Sequence, residues 1–231
     1  MEQVVNSQTF NWILIIAIGI VGGVVQWRLQ AVFAKYSRVM FPGGLTGREV
    51  AEKMLRDNGI HDMTVTSTTG RLTDNFDPRT RTVNLSEEVY GSNSVAAAAV
   101  AAHECGHAVQ HATGYAPLRM RSALVPVISF TSQWVMWVIL IGIMMINTMP
   151  SLLWVGIGML AVSVVFSLVT LPVEFNASRR ALAWLESSGT MHGEELSAAR
   201  TTLRWAACTY LVAALAALTY LLYYLGIARR R

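Results

Sequence analysis

The stretch "VAAHECGHAVQHATG", residues 100–114, continues the run "VAAAAV" at 95–100 and holds three of the chain's five histidines. Alanine is the strongest helix former and serine a good N-cap, so a helix is expected from Val95 to about His111, with Ser92 and Ser94 ahead of it. At 100° per residue, His103, His107 and His111 fall on one stripe. Glu104 lies beside His103, and Cys105 faces away.

His-Glu-x-x-His on a helix has a mechanical meaning. Two imidazoles one turn apart reach one Zn²⁺ at about 2.0–2.1 Å, and the glutamate reaches the water bound to it. A Glu and two His on an otherwise Ala/Val helix must be paired or metal-bound if they are buried; the alternative is a solvated polar stripe. His111 lies about 12 Å from His103 along the axis, too far to share an ion. It reads instead as a polar residue near the helix end, where Thr113-Gly114 forms a stop and an imidazole suits the dipole.

The surroundings of this helix are those of a membrane protein. Of 231 residues, 53% are hydrophobic and 14% charged, with a mean hydropathy of +0.42. An ordinary soluble domain carries about 25% charged residues. Four segments, roughly 10–27, 124–146, 152–172 and 205–227, reach the length of about 20 apolar residues that a spanning helix needs. The first reads as a retained anchor rather than a cleaved signal, because "MEQVVNSQTF" ahead of it has no positive charge. Trp12, Trp27, Trp134, Trp205, Tyr223 and Tyr224 lie near span ends, as aromatic belts do, although core packing explains several equally well.

The only sizeable polar region runs from Arg28 to Arg121. Thr46 caps an expected amphipathic helix of Arg48 to about Asn58, ending at Gly59. Met63–Ser67 and Thr82–Leu85 alternate like strands around turns at Thr69-Gly70 and Asp77-Pro78. A strand edge just before the motif helix could hold an extended peptide as an added strand. The expected fold is a mainly α membrane protein with about four transmembrane helices and a small α+β zincin-like catalytic region. Its parts are an anchor (1–33), the catalytic region (34–122), a transmembrane hairpin (123–173), a third-ligand helical segment (174–204) and a last transmembrane helix (205–231).

A catalytic zinc site needs a third protein ligand. His61, His192 and the acids outside the motif are the candidates. Glu174, in "LPVEFNASRRALAWL", is the most informative, because it follows the third span and begins a helical pattern. Its other reading is an interfacial carboxylate paired with Arg179 or Arg180.

Three ordered stretches, "AAHECGHAVQHA" (101–112), "GRLTDNFDPRTRTVNLS" (70–86) and "PVEFNASRRAL" (172–182), together resemble the bacterial membrane zinc metallopeptidases of the YugP type. More distantly they are similar to the HtpX and CAAX-prenyl-protease group. The resemblance implies one Zn²⁺ held by His103, His107 and Glu174, with Glu104 as general base. Four residues after the third ligand, the wider glutamate-zincin pattern carries an aspartate that supports a ligand histidine. Here Ser178 stands there, a hydroxyl that accepts the N–H bond but adds no charge. Asp74 and Asp77 are alternative supports.

The implied activity is that of a zinc-dependent endopeptidase, in which Glu104 takes a proton from the water and delivers it to the leaving amine. Tyr115, Asn176, Arg179 and His192 are candidate donors to the developing oxyanion. The expected substrate is a protein or peptide, membrane proteins included, and the lipid bilayer is the other partner. Of 18 Lys and Arg, 15 lie in the two segments that share a face with the motif, Arg28 to Arg121 and Arg179 to Arg204. By the positive-inside rule the site faces the cytoplasm, and the expected location is the inner (plasma) membrane. The C-terminal "ARRR" disagrees, since four crossings put it on the opposite face. The pI of about 9.3 is then a topology signal, with no nucleic-acid footprint. Cys105 and Cys208 do not look like halves of a disulfide, in keeping with a reducing compartment. A site-2-type intramembrane protease would take an aspartate ligand from a later span, and no aspartate follows Asp77. A non-catalytic zinc-binding regulator would have no need of Glu104. A transporter would carry polar residues inside its spans, which contain almost none.

Overall fold

The computed structural model describes the backbone of residues 2–229 and the side chains of residues 12–229. Arg230 and Arg231 of the basic tail, and the side chains at the start of the expected first span, lie outside the described residues. In chain order the elements are α1 (Glu2–Tyr36), α2 (Gly47–Asp57), β1 (Thr64–Thr68), β2 (Asn75–Asp77), β3 (Thr82–Ser86), α3 (Glu87–Tyr90), α4 (Val95–Ala112), α5 (Ala116–Met144), α6 (Pro150–Ser187) and α7 (Gly193–Ala228). They form two compact units. One takes in Met1–Val25, Met120–Leu171 and Thr209–Arg231, the other Gln26–Arg119 and Pro172–Cys208.

The first unit is apolar. Among the described residues, α1, α5, α6 and α7 are the four helices long and apolar enough to cross a membrane, and the chain is a mainly α membrane protein. Outward side chains such as Ile20, Phe130, Met136 and Leu168 are exposed to the surroundings, as lipid-facing residues are. The helix pair α5 and α6 approaches through small residues. A Cβ on Gly142 would stand 2.8 Å from the Leu153 Cα, and one on Gly156 2.6 Å from the Ile139 side chain. Small residues at a membrane helix contact let backbones pack closely where the bilayer gives no hydrophobic drive between helices.

The helices outrun the expected spans. The third was expected to end at Pro172, yet α6 continues unbroken through it to Ser187. Proline removes one N–H from the ladder and costs local strain, but an apolar helix with packed neighbours absorbs that. Beyond it, Val173, Ala177, Ala181, Trp184 and Leu185 recur at helical spacing and are all buried, which keeps the chain helical. The expected third-ligand segment, 174–204, is therefore the end of this helix, a short connection and the start of α7. Likewise α7 begins at Gly193, a turn and more before its apolar stretch.

The second unit is built around α4. Ala96, Ala97, Ala98, Ala99, Ala101 and Ala102 are all at most 1% exposed, so the first half of this helix is enclosed nearly all round, with Val100 partly buried, which small side chains permit at such packing. Val50, Met54 and Leu55 of α2, Val83 and Leu85 of β3, and Leu185 and Leu203 of α6 and α7 share that core. Local chemistry sets the ends. Ser94 caps α4 by accepting from the Ala97 N–H, and Thr46 and Glu49 form a capping box on α2, each of a kind worth about 1 kcal/mol.

The sheet has the order β1-β3-β2, with β1 parallel and β2 antiparallel to β3. The expected strands are present as β1 and β3, each within one residue of its expected position. The short β2 reads in sequence as turn, since "NFDP" is polar and ends in proline; pairing of Phe76 with Val83, and a 2.7 Å bond from the Asn84 amide to Asn75, holds it. The expected docking edge is not on the strand before the motif helix. The strand just before the motif helix is β3, which is central and already paired on both sides, so the free edges belong to β1 and β2. Asp74 secures the end of β3 by accepting from the Ser86 N–H at 2.7 Å. Burial raises its pKa, against the pull of the Ser86 donors.

Candidate active site

The site is assembled by α4 and the end of α6. Gly106 makes this possible: a Cβ there would stand 2.6 Å from the Ala177 carbonyl oxygen, so the two backbones touch where any other residue would part them. The contact brings Glu174 over the face of α4 that carries His103 and His107. His103 Nε2 lies 3.3 Å and His107 Nε2 3.6 Å from Glu174 Oε2. The two imidazoles stand edge to face, with centroids 4.8 Å apart. Glu174 is 2% exposed, a burial that a carboxylate tolerates only with a cationic or metal partner.

Do these residues fit a zinc ion? Two ligand atoms at about 2.05 Å from a tetrahedral ion stand roughly 3.3–3.4 Å apart. The observed 3.3 and 3.6 Å match that spacing, and the three donor atoms lie within 4.8 Å of one another. The outer ring nitrogens are held from behind. Ser178 Oγ lies 3.1 Å from His103 Nδ1, and Gln110 Oε1 3.0 Å from His107 Nδ1. Gln110 spends its amide N–H groups on the Val173 carbonyl (2.8 Å) and Asn176 Oδ1 (3.0 Å), so its Oε1 is an acceptor and His107 Nδ1–H donates. Asn176 Oδ1 also accepts from Arg180 Nε at 2.8 Å. With Nδ1–H committed to Gln110, Nε2 is the ring nitrogen of His107 that faces Glu174, the atom a metal would take. The donor set fits zinc.

Glu104, 8% exposed, follows His103 by one position on the same side of α4. Cys105 faces the opposite way and its thiol donates weakly to the Ala51 carbonyl. Burial pushes that thiol up, with the Glu104 charge adding to the shift, so it stays protonated and does not compete as a ligand. Among the described residues, the ion-pair distances of Glu174 are to His103 and His107 rather than to Arg179 or Arg180. Asp74 and Asp77 hold Ser86 and the Arg79 N–H rather than a ligand histidine. Of the remaining candidates, Asn176 is joined to the His107 side through Gln110. Arg179 is an exposed residue of α6, Tyr115 sits at the turn between α4 and α5 with its N–H on the Gln110 carbonyl, and His192 is exposed just before α7. His111 is exposed at the end of α4 beside Phe76, outside the donor set. Gln110 was not among the expected site residues. Its signal was present: a lone amide three residues after His107 on an otherwise apolar helix shares that histidine's face.

Residues 11–229 match the model of a family described as "Putative neutral zinc metallopeptidase". The chain is 41% identical over 197 residues to the protein named "Putative membrane protease YugP" of Bacillus subtilis (strain 168), a match covering 85% of this chain and 87% of that protein. No solved structure matches. The similarity runs through every element that builds the site, and the chain belongs to this neutral zinc metallopeptidase family.

Proposed function

We propose that the protein is a zinc-dependent endopeptidase of the plasma membrane that hydrolyses protein or peptide substrates, membrane proteins among them, on the cytoplasmic side. The observation that carries this reading is the cluster of half-buried His103 with buried His107 and Glu174 at zinc-ligand spacing beside Glu104. One zinc ion held there would supply a Lewis acid for the scissile carbonyl and acidify its water. The chain's own residues do the rest. Gln110 and Ser178 fix the ring nitrogens of the ligand histidines, so that both keep a lone pair inward. Glu104 accepts a proton from the attacking water and returns it to the leaving amine, a role that requires a carboxylate on the same helix face as the ligands. The free edge of β2, which lies against α4 with Phe76 touching the His111 ring, offers backbone groups to an extended substrate. The cytoplasmic assignment rests on the 15 of 18 basic residues in the segments that flank the motif.

The test is a comparison of purified protein with its Glu104→Gln variant for zinc content and for cleavage of unfolded casein. Both should carry equal zinc, and cleavage should fall by at least 10²-fold, the lower end of what a positioned acid–base group contributes. A variant that kept zinc and cleaved at the wild-type rate would remove Glu104 from the chemistry. A zinc-replete wild type that cleaved neither casein nor any of a panel of unfolded proteins would favour the non-catalytic zinc-binding reading.

A further inference from the structure

A second concave site lies in the same unit, between the ends of α6 and α7. It is an open groove of about 460 Å³ with Phe175, Arg179 and Leu182 on one wall and Arg200, Leu203 and Arg204 on the other. Its floor is apolar and its rim is basic. Among the described residues none of the three arginines pairs with a carboxylate, although each is exposed. Glu186 is the only acid on the lining, so the groove carries an excess of two positive charges. Unmatched arginines around an apolar slot call for a ligand that is anionic at one end and apolar at the other.

The helices also give the level of this groove. Arg179 lies seven residues past Pro172, about 10 Å along α6 from its apolar stretch, while Arg204 directly precedes the apolar stretch of α7 and Arg200 is one turn earlier. The same unit marks that level a second time: the Arg28 guanidinium lies 5.5 Å from the Trp27 ring centroid and 5.9 Å from that of Trp205. Tryptophan and arginine together are the residues of the headgroup layer. The geometry points to a binding site for an anionic phospholipid, its phosphate held by Arg179, Arg200 and Arg204 and its acyl chain lying along Phe175, Leu182 and Leu203. Arginine forks suit phosphate oxygens, and basic pockets between membrane helices take acidic headgroups. Ser178, which holds the His103 ring, lines the groove as well, so the lipid would adjoin the helix turn that carries the zinc ligands.

The experiment titrates the full-length protein in nonionic detergent with monomeric dihexanoyl phosphatidylglycerol, and in parallel arms with dihexanoyl phosphatidylcholine and with inorganic phosphate. The phosphatidylglycerol should bind at least about five-fold more tightly than either, and each Arg→Gln change at 179, 200 or 204 should weaken it about five-fold. Glu186→Gln should tighten it. Ala183→Phe, which fills the groove from its exposed side without touching charge, should abolish binding while leaving zinc content unchanged. Equal affinity for phosphatidylcholine or for free phosphate would overturn the proposal, the latter by showing a plain anion site. So would retention of phosphatidylglycerol by Ala183→Phe or by the Arg200→Gln single variant, because the charge would then act diffusely and not through the groove.

Discussion

In the proposed site His107 must aim a single lone pair inward, and one amide supports that orientation. Gln110 accepts from His107 Nδ1–H and anchors its own N–H groups on the Val173 carbonyl and Asn176, which leaves it no freedom to rotate. Gln110→Leu keeps the volume but leaves that N–H without an acceptor, and the ring can then turn or take the other tautomer. Loss of such a support typically costs 10–100-fold in metal affinity. Competitive titration with a zinc chelator should show about that weakening for Gln110→Leu, while Gln110→Glu, which keeps an acceptor for His107 but loses the two donors to Val173 and Asn176, should fall between Gln110→Leu and wild type. Equal affinity for all three proteins would mean that the bond to Gln110 does not orient the ligand. Ser178 supports His103 in the same way with a neutral hydroxyl in place of a carboxylate.

Between elements, the decisive contact is that of α4 with α6 at Gly106. Gly106→Ala places a methyl 2.6 Å from a main-chain oxygen, and backbone of a packed helix does not give way as a side chain does. Overpacking of this kind costs about 1–3 kcal/mol. The variant should therefore melt at a lower temperature and also hold zinc less tightly, because any parting of the helices separates His107 from Glu174. A destabilised variant with wild-type zinc affinity would show that the site tolerates movement at this contact. Much of this level was legible beforehand. The alanine run, Ser94 and the Thr46-Glu49 box specify α4 and α2 by local rules, and His103, His107 and Glu174, which the structure brings together, are each singled out in the sequence. What could not be read was where α6 stops. Pro172 is a breaker by local chemistry, and only burial of Val173, Ala177 and Ala181 shows why the helix continues. The short β2 was hidden for the same reason, since its pairing with β3 is non-local and its own residues favour a turn.

For the whole molecule, the proposed orientation follows from charge along the chain, which would put the unit carrying the candidate site on the cytoplasmic side. The test needs positions that do no structural work. Ser86 is 1% exposed and bonded to Asp74, whereas Thr69 is exposed in the β1–β2 turn and Ser151 is exposed at the start of α6. In a Cys208→Ser background, a cysteine replacing Thr69 should be shielded from a membrane-impermeant thiol reagent in intact cells, and one replacing Ser151 should be labelled. The buried Cys105 stays silent in both. The opposite pattern would place the site outside the cytoplasm.

The central claim is that Glu174 completes a zinc site with His103 and His107, and metal content after exhaustive dialysis tests it most directly. Wild type, His111→Ala and His192→Ala should each retain one zinc per chain, since both of those histidines are exposed and outside the donor set. Glu174→Ala should retain almost none, because loss of a ligand carboxylate costs at least the 10–100-fold of a lost supporting bond. Full zinc in Glu174→Ala, with loss of zinc in His111→Ala or His192→Ala, would contradict the ligand set.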